Sequence, residues 1–239
     1  MAVASAELLS QRSLQRRHDS KFVLHRRALP ALFSLLQPHY AVVHANQNPI
    51  ARYDNQYFDS LDHRLLREHH RGRVPRYKLR IRHYADRGLS FVESKKKLAS
   101  GVTQKSKQAI PPAQRDLTGL DAFVRANIPL SLGALVPSIT TTFRRITIVH
   151  PEEAERATCD IDVLFQHNSR QKHLTRGAIV EIKQLHRQPR SPLMLALKQV
   201  GARKLSISKY CTAGFFLLPS VPMNLYRPTI HSMRKAFCD

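Results

Sequence analysis

Arg76-Tyr77-Lys78-Leu79-Arg80-Ile81-Arg82-His83-Tyr84 alternates cationic with mostly apolar or aromatic residues. In a β-strand, successive side chains point to opposite faces. One face therefore carries Arg76, Lys78, Arg80, Arg82 and Tyr84, and the other Tyr77, Leu79, Ile81 and His83. Side chains two residues apart along a strand lie roughly 7 Å from each other. A row of like charges at that spacing repels itself unless an anion offsets it.

The same one-sided pattern recurs outward from this stretch. Phe91–Lys97 places Glu93, Lys95 and Lys97 on one face. Arg17–Lys21 places Arg17, Asp19 and Lys21 together. Arg156, Thr158, Asp160 and Asp162 share a face opposite Ala157, Cys159, Ile161 and Val163. Glu181 and Lys183 share a face opposite Val180 and Ile182. An ordinary small barrel turns its apolar side inward and its charges to water. Recurrence in five strands favours the inverted arrangement, with charges lining a lumen and helices covering the apolar sides. Carboxylates interspersed among the cations then suit Mg²⁺ or Mn²⁺, which take oxygen ligands and bridge phosphate oxygens.

Composition agrees with an anionic partner. The 239 residues hold 39 Lys and Arg against 17 Asp and Glu, a formal charge of +22. Apolar residues at 42% suffice for a sizeable core. No run approaches the roughly 18 apolar residues of a spanning helix, and the first fifteen residues lack a signal-like apolar core. Three widely spaced cysteines (Cys159, Cys211, Cys238) read as packing residues of a reducing, cytoplasmic compartment. Adjacent His69 and His70 fit no zinc spacing, and no phosphate-binding glycine loop of the GxxxxGK[ST] type is present. Arg64–Arg73 reads as a basic loop or short helix with a solvated face.

Strands are expected at Lys21–Leu24, Tyr53–Asp59, Tyr77–Tyr84, Ser90–Lys97, Ile139–Val149, Arg156–Phe165, Ala178–Lys183 and Lys204–Tyr210. Helices are expected near 28–37, 117–126, 193–200 and 230–237. Gln104–Leu117, with Pro111 and Pro112 and no period, reads as a loop across an entrance. The expected fold is α+β: a closed antiparallel β-barrel, or tunnel, of about eight strands with helices packed on the outside. Residues 1–15 are a flexible lead-in and 16–239 a single domain.

Six motifs, in order, resemble the VTC domain of the CYTH-like, or triphosphate tunnel, superfamily. Arg76–Tyr84 and Phe91–Lys97 (F-V-E-S-K-K-K) carry most of the likeness. Tyr53–Ser60 resembles the family's S-x-Y-F-D-T segment, Arg156–Asp160 its R-x-T-x-D strand, Val180–Lys183 its L-E-x-K strand, and Ser208–Cys211 its S-K-Y segment. The family implies polymerisation of inorganic polyphosphate from ATP with Mn²⁺ or Mg²⁺ in an antiparallel tunnel. Carried to these positions, Arg80, Arg82, Lys95, Arg145, Arg156 and Lys209 are catalytic contacts. Lys21, Arg76, Lys78, Lys97, Lys105, Lys107, Lys183 and Tyr57 bind phosphate. Glu181, with Asp19 and Glu93, holds the metal. Arg145 fits the family's Y-x-R pattern better than Arg144, and either Lys105 or Lys107 is taken as the inward lysine. Asp19-x-Lys21 departs from the family's opening E-x-K by a shorter carboxylate. Nothing resembles the family's SPX module, so the expectation is a catalytic core alone.

The implied partners are ATP and inorganic polyphosphate. Alternatives are a polyphosphate-binding module without activity and a CYTH-type inorganic triphosphatase. A nucleic-acid-binding protein is disfavoured, because its support is charge alone.

Overall fold

A computed structural model describes residues 1–5, 7–8 and 18–238, the side chain of Cys238 excepted. Arg17 and most of the 1–15 lead-in lie outside the described residues. Residues 2–4 run beside β2 (Ala41–Val43): the Ala4 N–H donates to the Val42 carbonyl and the Val42 N–H to the Ala2 carbonyl.

One antiparallel sheet dominates. Its strands are β1 (His18–His25), β2, β3 (Ile50–Asp59), β4 (Arg76–Tyr84), β5 (Leu89–Lys97), β6 (Thr103–Ile110), β7 (Val136–Val149), β8 (Glu155–His167), β9 (Arg170–Leu174), β10 (Gly177–Gln184) and β11 (Arg203–Lys204). Their order is β11-β1-β10-β8-β7-β3-β4-β5-β6, with β2 added on β7 and β9 on β8. Among the described residues, eleven strands replace the expected eight or so. The hydrogen-bonded ladder ends at β6 on one side and β11 on the other, so backbone pairing does not close it.

The sheet is nevertheless curled. β1 and β4 stand five steps apart in the order, which would separate them by about 24 Å if flat. Yet Lys21 of β1 donates to the carbonyl of Ile207, and Lys78 of β4 donates to Ser208 Oγ next door, both at 2.8 Å. Strands from opposite sides of the sheet thus reach adjacent residues of one segment.

Helices cover the outer face, where the apolar sides of the strands gather. Phe22, Leu24, Ala157, Cys159, Ile161, Val180 and Ile182 pack beneath α1 (Leu29–Leu36) and α4 (Pro192–Gln199). Leu79, Ile81 and Val92 pack with Leu65 of α2 (Arg64–His70) and with Phe123 and Val124 of α3 (Asp121–Asn127). The outward face of β4 is therefore the leucine–isoleucine face, as the inverted arrangement requires.

The expectation that all helices lie outside is corrected by α5 (Lys209–Leu217) and α6 (Arg227–Cys238). Tyr210, Ala213, Leu217, Ile230 and Met233 form one core with Val23, Tyr57, Val163, Phe165 and Ile179, all on the inner face. The inner face is thus half apolar, filled by these helices, and half charged. A bulge marks the changeover on β8. Pairing with β7 shifts between Thr142 and Arg144, and Asp162 takes a positive φ of 51°. An extra residue inverts the alternation beyond it. Arg156, Thr158 and Asp160 point inward before it, and Val163 and Phe165 after it. Asp162, expected on the inner face, therefore turns outward and pairs with Arg26 and Arg144.

Two further expectations are corrected. Gln104–Leu117 begins as strand β6 rather than loop. Its Gln-Lys-Ser-Lys-Gln run lacks apolar alternation because it is an edge strand, where lysines blunt unwanted pairing. Lys204–Tyr210 is not a strand. Leu205-Ser206-Ile207-Ser208 mimics period two, but Ser208 is the N-cap of α5, its Oγ accepting from the Cys211 N–H.

Candidate functional site

The charged half of the inner face is assembled from six strands (β1, β4, β5, β7, β8 and β10) and one helix terminus. Within β4 and β5, Arg80 pairs across the ladder with Glu93 and Lys78 with Lys95. Arg80 grips one oxygen of Glu93 through Nε at 2.8 Å and Nη2 at 2.5 Å, and its Nη1 donates to the Tyr57 hydroxyl at 3.1 Å. Tyr57 stacks on Tyr210 with centroids 4.5 Å apart, fixing that hydroxyl. Arg82 donates from Nε to Asn55 Oδ1 at 2.6 Å and lies over the rings of Tyr53 and Tyr84. Asn55 is itself held by the carbonyl of Thr141 at 2.9 Å.

Asp160, 1% exposed, holds a second group of cations. It accepts from Arg145 Nε at 2.5 Å and Nη2 at 2.8 Å, a bidentate pair, and from Lys209 at the start of α5. The R-x-T-x-D motif contained Asp160, but sequence reasoning did not place it in the site. Its tie to Lys209 spans 49 positions, which no local pattern displays. Arg144, in contrast, faces outward onto Asp162, so Arg145 is the inward member of the pair.

The third group lies across β1 and β10. Asp19 stands opposite Lys183 and Lys21 opposite Glu181, a checkerboard of alternating sign. Lys183 donates to Glu181 at 2.5 Å. Arg156 pairs with Lys183 and Thr158 with Glu181 on the neighbouring strand. The Thr158 hydroxyl is buried and has no hydrogen-bond partner.

The groups meet. Lys95 on β5 feels the charges of Lys21, Lys105, Glu181 and Asp19, although β5 and β1 are six steps apart in the sheet. Burial first, then these cations, pushes Lys95 down to about 8. Burial does the same to Lys78, down to about 7, with Lys95, Lys21 and Arg80 adding to it. Glu93 would be raised by burial, but Arg80 and Arg82 hold it down at about 2. Glu181 lies well below the usual carboxylate range: burial opposes this, and Lys183 and Lys21 outweigh it. Glu93 and Glu181 therefore stay ionised while Lys78 and Lys95 stand close to losing their protons.

Most sequence-predicted residues come together here: Lys21, Tyr57, Lys78, Arg80, Arg82, Glu93, Lys95, Arg145, Arg156, Glu181, Lys183 and Lys209. Lys105 and Lys107 occupy one face of β6, opposite Lys95 and Glu93 respectively, so they do not compete for one inward position. Lys107 also lies over the Phe91 ring at 5.1 Å. Arg76 and Lys97 form the outermost pair of the β4–β5 ladder, with Arg76 donating to the Gly72 carbonyl at 3.2 Å. Glu93 is committed to Arg80. No group of three or more His, Cys, Asp or Glu side chains able to hold a metal exists among the described residues.

Comparison with known proteins follows this geometry. Residues 16–120 match the family model described as the VTC domain, a span that ends just before α3. A structure from Bacillus halodurans, provisionally assigned as an adenylate cyclase, is 13% identical over 81% of this chain and 94% of its own, with a TM-score of 0.50. A protein from Hippeastrum, likewise provisionally assigned as an adenylyl cyclase and described as having a dominant triphosphatase activity, is 16% identical over 84% and 98%, with a TM-score of 0.51. At these identities the likeness concerns fold alone. No curated protein matches the chain. No helix among the described residues is long and apolar enough to cross a membrane. The family match over 16–120 bears out, for that span, the resemblance to the VTC domain that the strand motifs carry.

Proposed function

We propose that the protein is a metal-dependent polyphosphate polymerase, which moves the γ-phosphate of ATP onto a phosphate chain held in the curled sheet, the sheet acting as a tunnel. The observation that carries this is the convergence of cations from β1, β4, β5, β7 and α5 on one side of the curled sheet. Phosphoryl transfer asks for positioning and charge neutralisation more than for a protein nucleophile. Arg80, Arg82 and Arg145 are locked by Glu93, Asn55 and Asp160, so their remaining N–H donors are aimed before substrate arrives. Lys21, Lys78, Lys95, Lys183 and Lys209 supply point charges around them. The ionised end of a bound chain attacks the γ-phosphorus, and the β–γ bridging oxygen leaves with ADP. No side-chain proton is required.

The donor set fits Mg²⁺ or Mn²⁺. Such ions need only one or two protein carboxylates when phosphate oxygens complete the shell. Glu181 and Asp19 are the two that converge near Lys95, and the unpartnered Thr158 hydroxyl lies opposite Glu181. Glu93 leaves this set because Arg80 holds it. When bound, the ion would neutralise charge on phosphate oxygens. A cytoplasmic location belongs to the same proposal.

Purified protein given ATP and either ion is expected to form acid-labile phosphate chains and ADP. Release of orthophosphate without chains would instead support the second reading, a triphosphatase, which the activity described for the Hippeastrum protein favours. Binding of preformed polyphosphate without turnover would make it a binding module.

Affinity for tripolyphosphate is expected to fall as the pH rises through 7 to 8. Lys78 and Lys95 hold their protons in the empty site only below about 7 and 8, and each lost charge weakens anion binding. Stability without ligand runs the other way. These lysines have depressed values in the fold, so the unfolded chain binds more protons and stability rises from about pH 7 towards pH 10. Calorimetric titrations and urea unfolding across this range check both signs.

A further inference from the structure

His69 lies on the last turn of α2 but belongs, by position, to the charged compartment. Asp59 fixes the start of that helix, accepting from the N–H groups of Leu65 at 2.8 Å and Leu66 at 2.9 Å. Leu65 and Leu66 are buried, and His69, three and four residues further on, shares their face. Leu65 packs with the outer cluster beside Leu79 and Ile81, but Leu66 joins the inner-face core with Tyr57 and Tyr210, so α2 borders the inner face on the side of His69. Both ring nitrogens of His69 are shielded from water, and neither has a hydrogen-bond partner. Buried polar atoms are almost always satisfied, and an imidazole with two orphaned nitrogens calls for a cause. An absent ligand supplies one. The ligand must be an anion, because the charges bearing on the ring are Arg76 and Lys78 of β4, Lys95 of β5 and Lys21 of β1.

We propose that His69 donates a ring N–H to an oxygen of the bound phosphate chain, making it a binding residue of this site. This rests on reading the compartment as a phosphate-chain site. In the empty protein, burial first and then the four cations hold the ring neutral, far below the usual histidine range. The other charged or titratable groups of its own helix are Arg64, Arg67, Glu68 and His70, with Glu68 paired to Arg64; beyond it stand Cys211 of α5 beside Lys78, and Asp59 of β3 at the opposite end of α2. A polyanion would cancel the cations' field, and the ring would take up a proton and gain a second donor.

The test is titration of inorganic tripolyphosphate into wild type, His69→Gln and His69→Phe, in two buffers of different ionisation enthalpy at pH 7. A ¹⁵N-imidazole NMR spectrum of wild type accompanies it. Wild type is expected to take up a proton on binding and to shift the His69 ring resonances. His69→Phe should bind about tenfold or more weakly, as for loss of a charge-assisted hydrogen bond, and should take up fewer protons than wild type, the remaining uptake belonging to Lys78 and Lys95. His69→Gln, which keeps an N–H donor, should fall between. If wild type binds tripolyphosphate but its His69 resonances stay put, or His69→Phe binds equally well, the assignment of His69 fails while the phosphate site stands. If wild type does not bind tripolyphosphate at all, the phosphate-chain reading itself fails and takes this one with it.

Discussion

Asp160→Ala is expected to destabilise the fold by about 3–5 kcal/mol, the range for removing one partner of a buried ion pair. Asp160 is 1% exposed, and the Arg145 and Lys209 side chains beside it are 14% and 16% exposed. Without the carboxylate, the two buried cations Arg145 and Lys209 lose the charge that lies between them. They do not respond alike. Burial already pushes Lys209 down to about 8 despite Asp160, so it can shed its proton. Arg145 cannot, and it keeps its charge. The variant should therefore regain stability as the pH rises from about 7 to 9, because the unfolded chain then holds the Lys209 proton longer. Tripolyphosphate should stabilise the variant more than wild type, since its oxygens can take the vacated place. Urea unfolding with and without tripolyphosphate reads both effects. Glu68→Ala, which breaks the exposed Arg64–Glu68 pair, should cost less than about 1 kcal/mol and serves as the comparison. A small loss at Asp160 would mean that Arg145 and Lys209 are held by something else.

The second large effect is expected at Glu181. Glu181→Gln should cut chain synthesis by about 100-fold or more, the scale on which metal assistance acts. Tripolyphosphate binding should survive or tighten, because a negative charge leaves a site meant for anions. Mn²⁺ affinity, measured by paramagnetic resonance with and without tripolyphosphate, should fall in parallel with the rate. Lys183 loses its partner at 2.5 Å in this variant, so Lys183→Ala separates the two roles: it should weaken anion binding and leave Mn²⁺ affinity near wild type. Undiminished synthesis by Glu181→Gln would remove the metal from that carboxylate.

The orientation of the strands was legible in the sequence because alternation is a local signal. Leu79, Ile81 and Val92 against Arg80, Arg82 and Glu93 show which side meets a helix and which meets an ion. Positions of the outer helices followed from apolar spacing and from Pro30, Pro129 and Gly201 as punctuation. Three things were hidden, each for a physical reason. The β8 bulge depends on a single residue at positive φ, and Asp162 can adopt it without advertising it. The helix α5 hid behind Leu205-Ser206-Ile207-Ser208, whose spacing suits a strand, because its start is set by one cap hydrogen bond. The tie between Asp160 and Lys209 joins two elements that only the folded chain brings together. His69 was set aside as one of an adjacent pair that suits no metal. Its setting appears only when strands from both ends of the sheet are seen around it.

The unpaired margins at β6 and β11 bear on how a polymer gains entry. A fully ringed pore admits a long molecule by its end alone, as thread enters a needle. On the proposed reading, a sheet that curls without joining its two borders by hydrogen bonds would leave a lengthwise seam, and a strand of phosphates could be laid in through it broadside, from its middle. Loading would then depend little on how far away the nearest terminus lies.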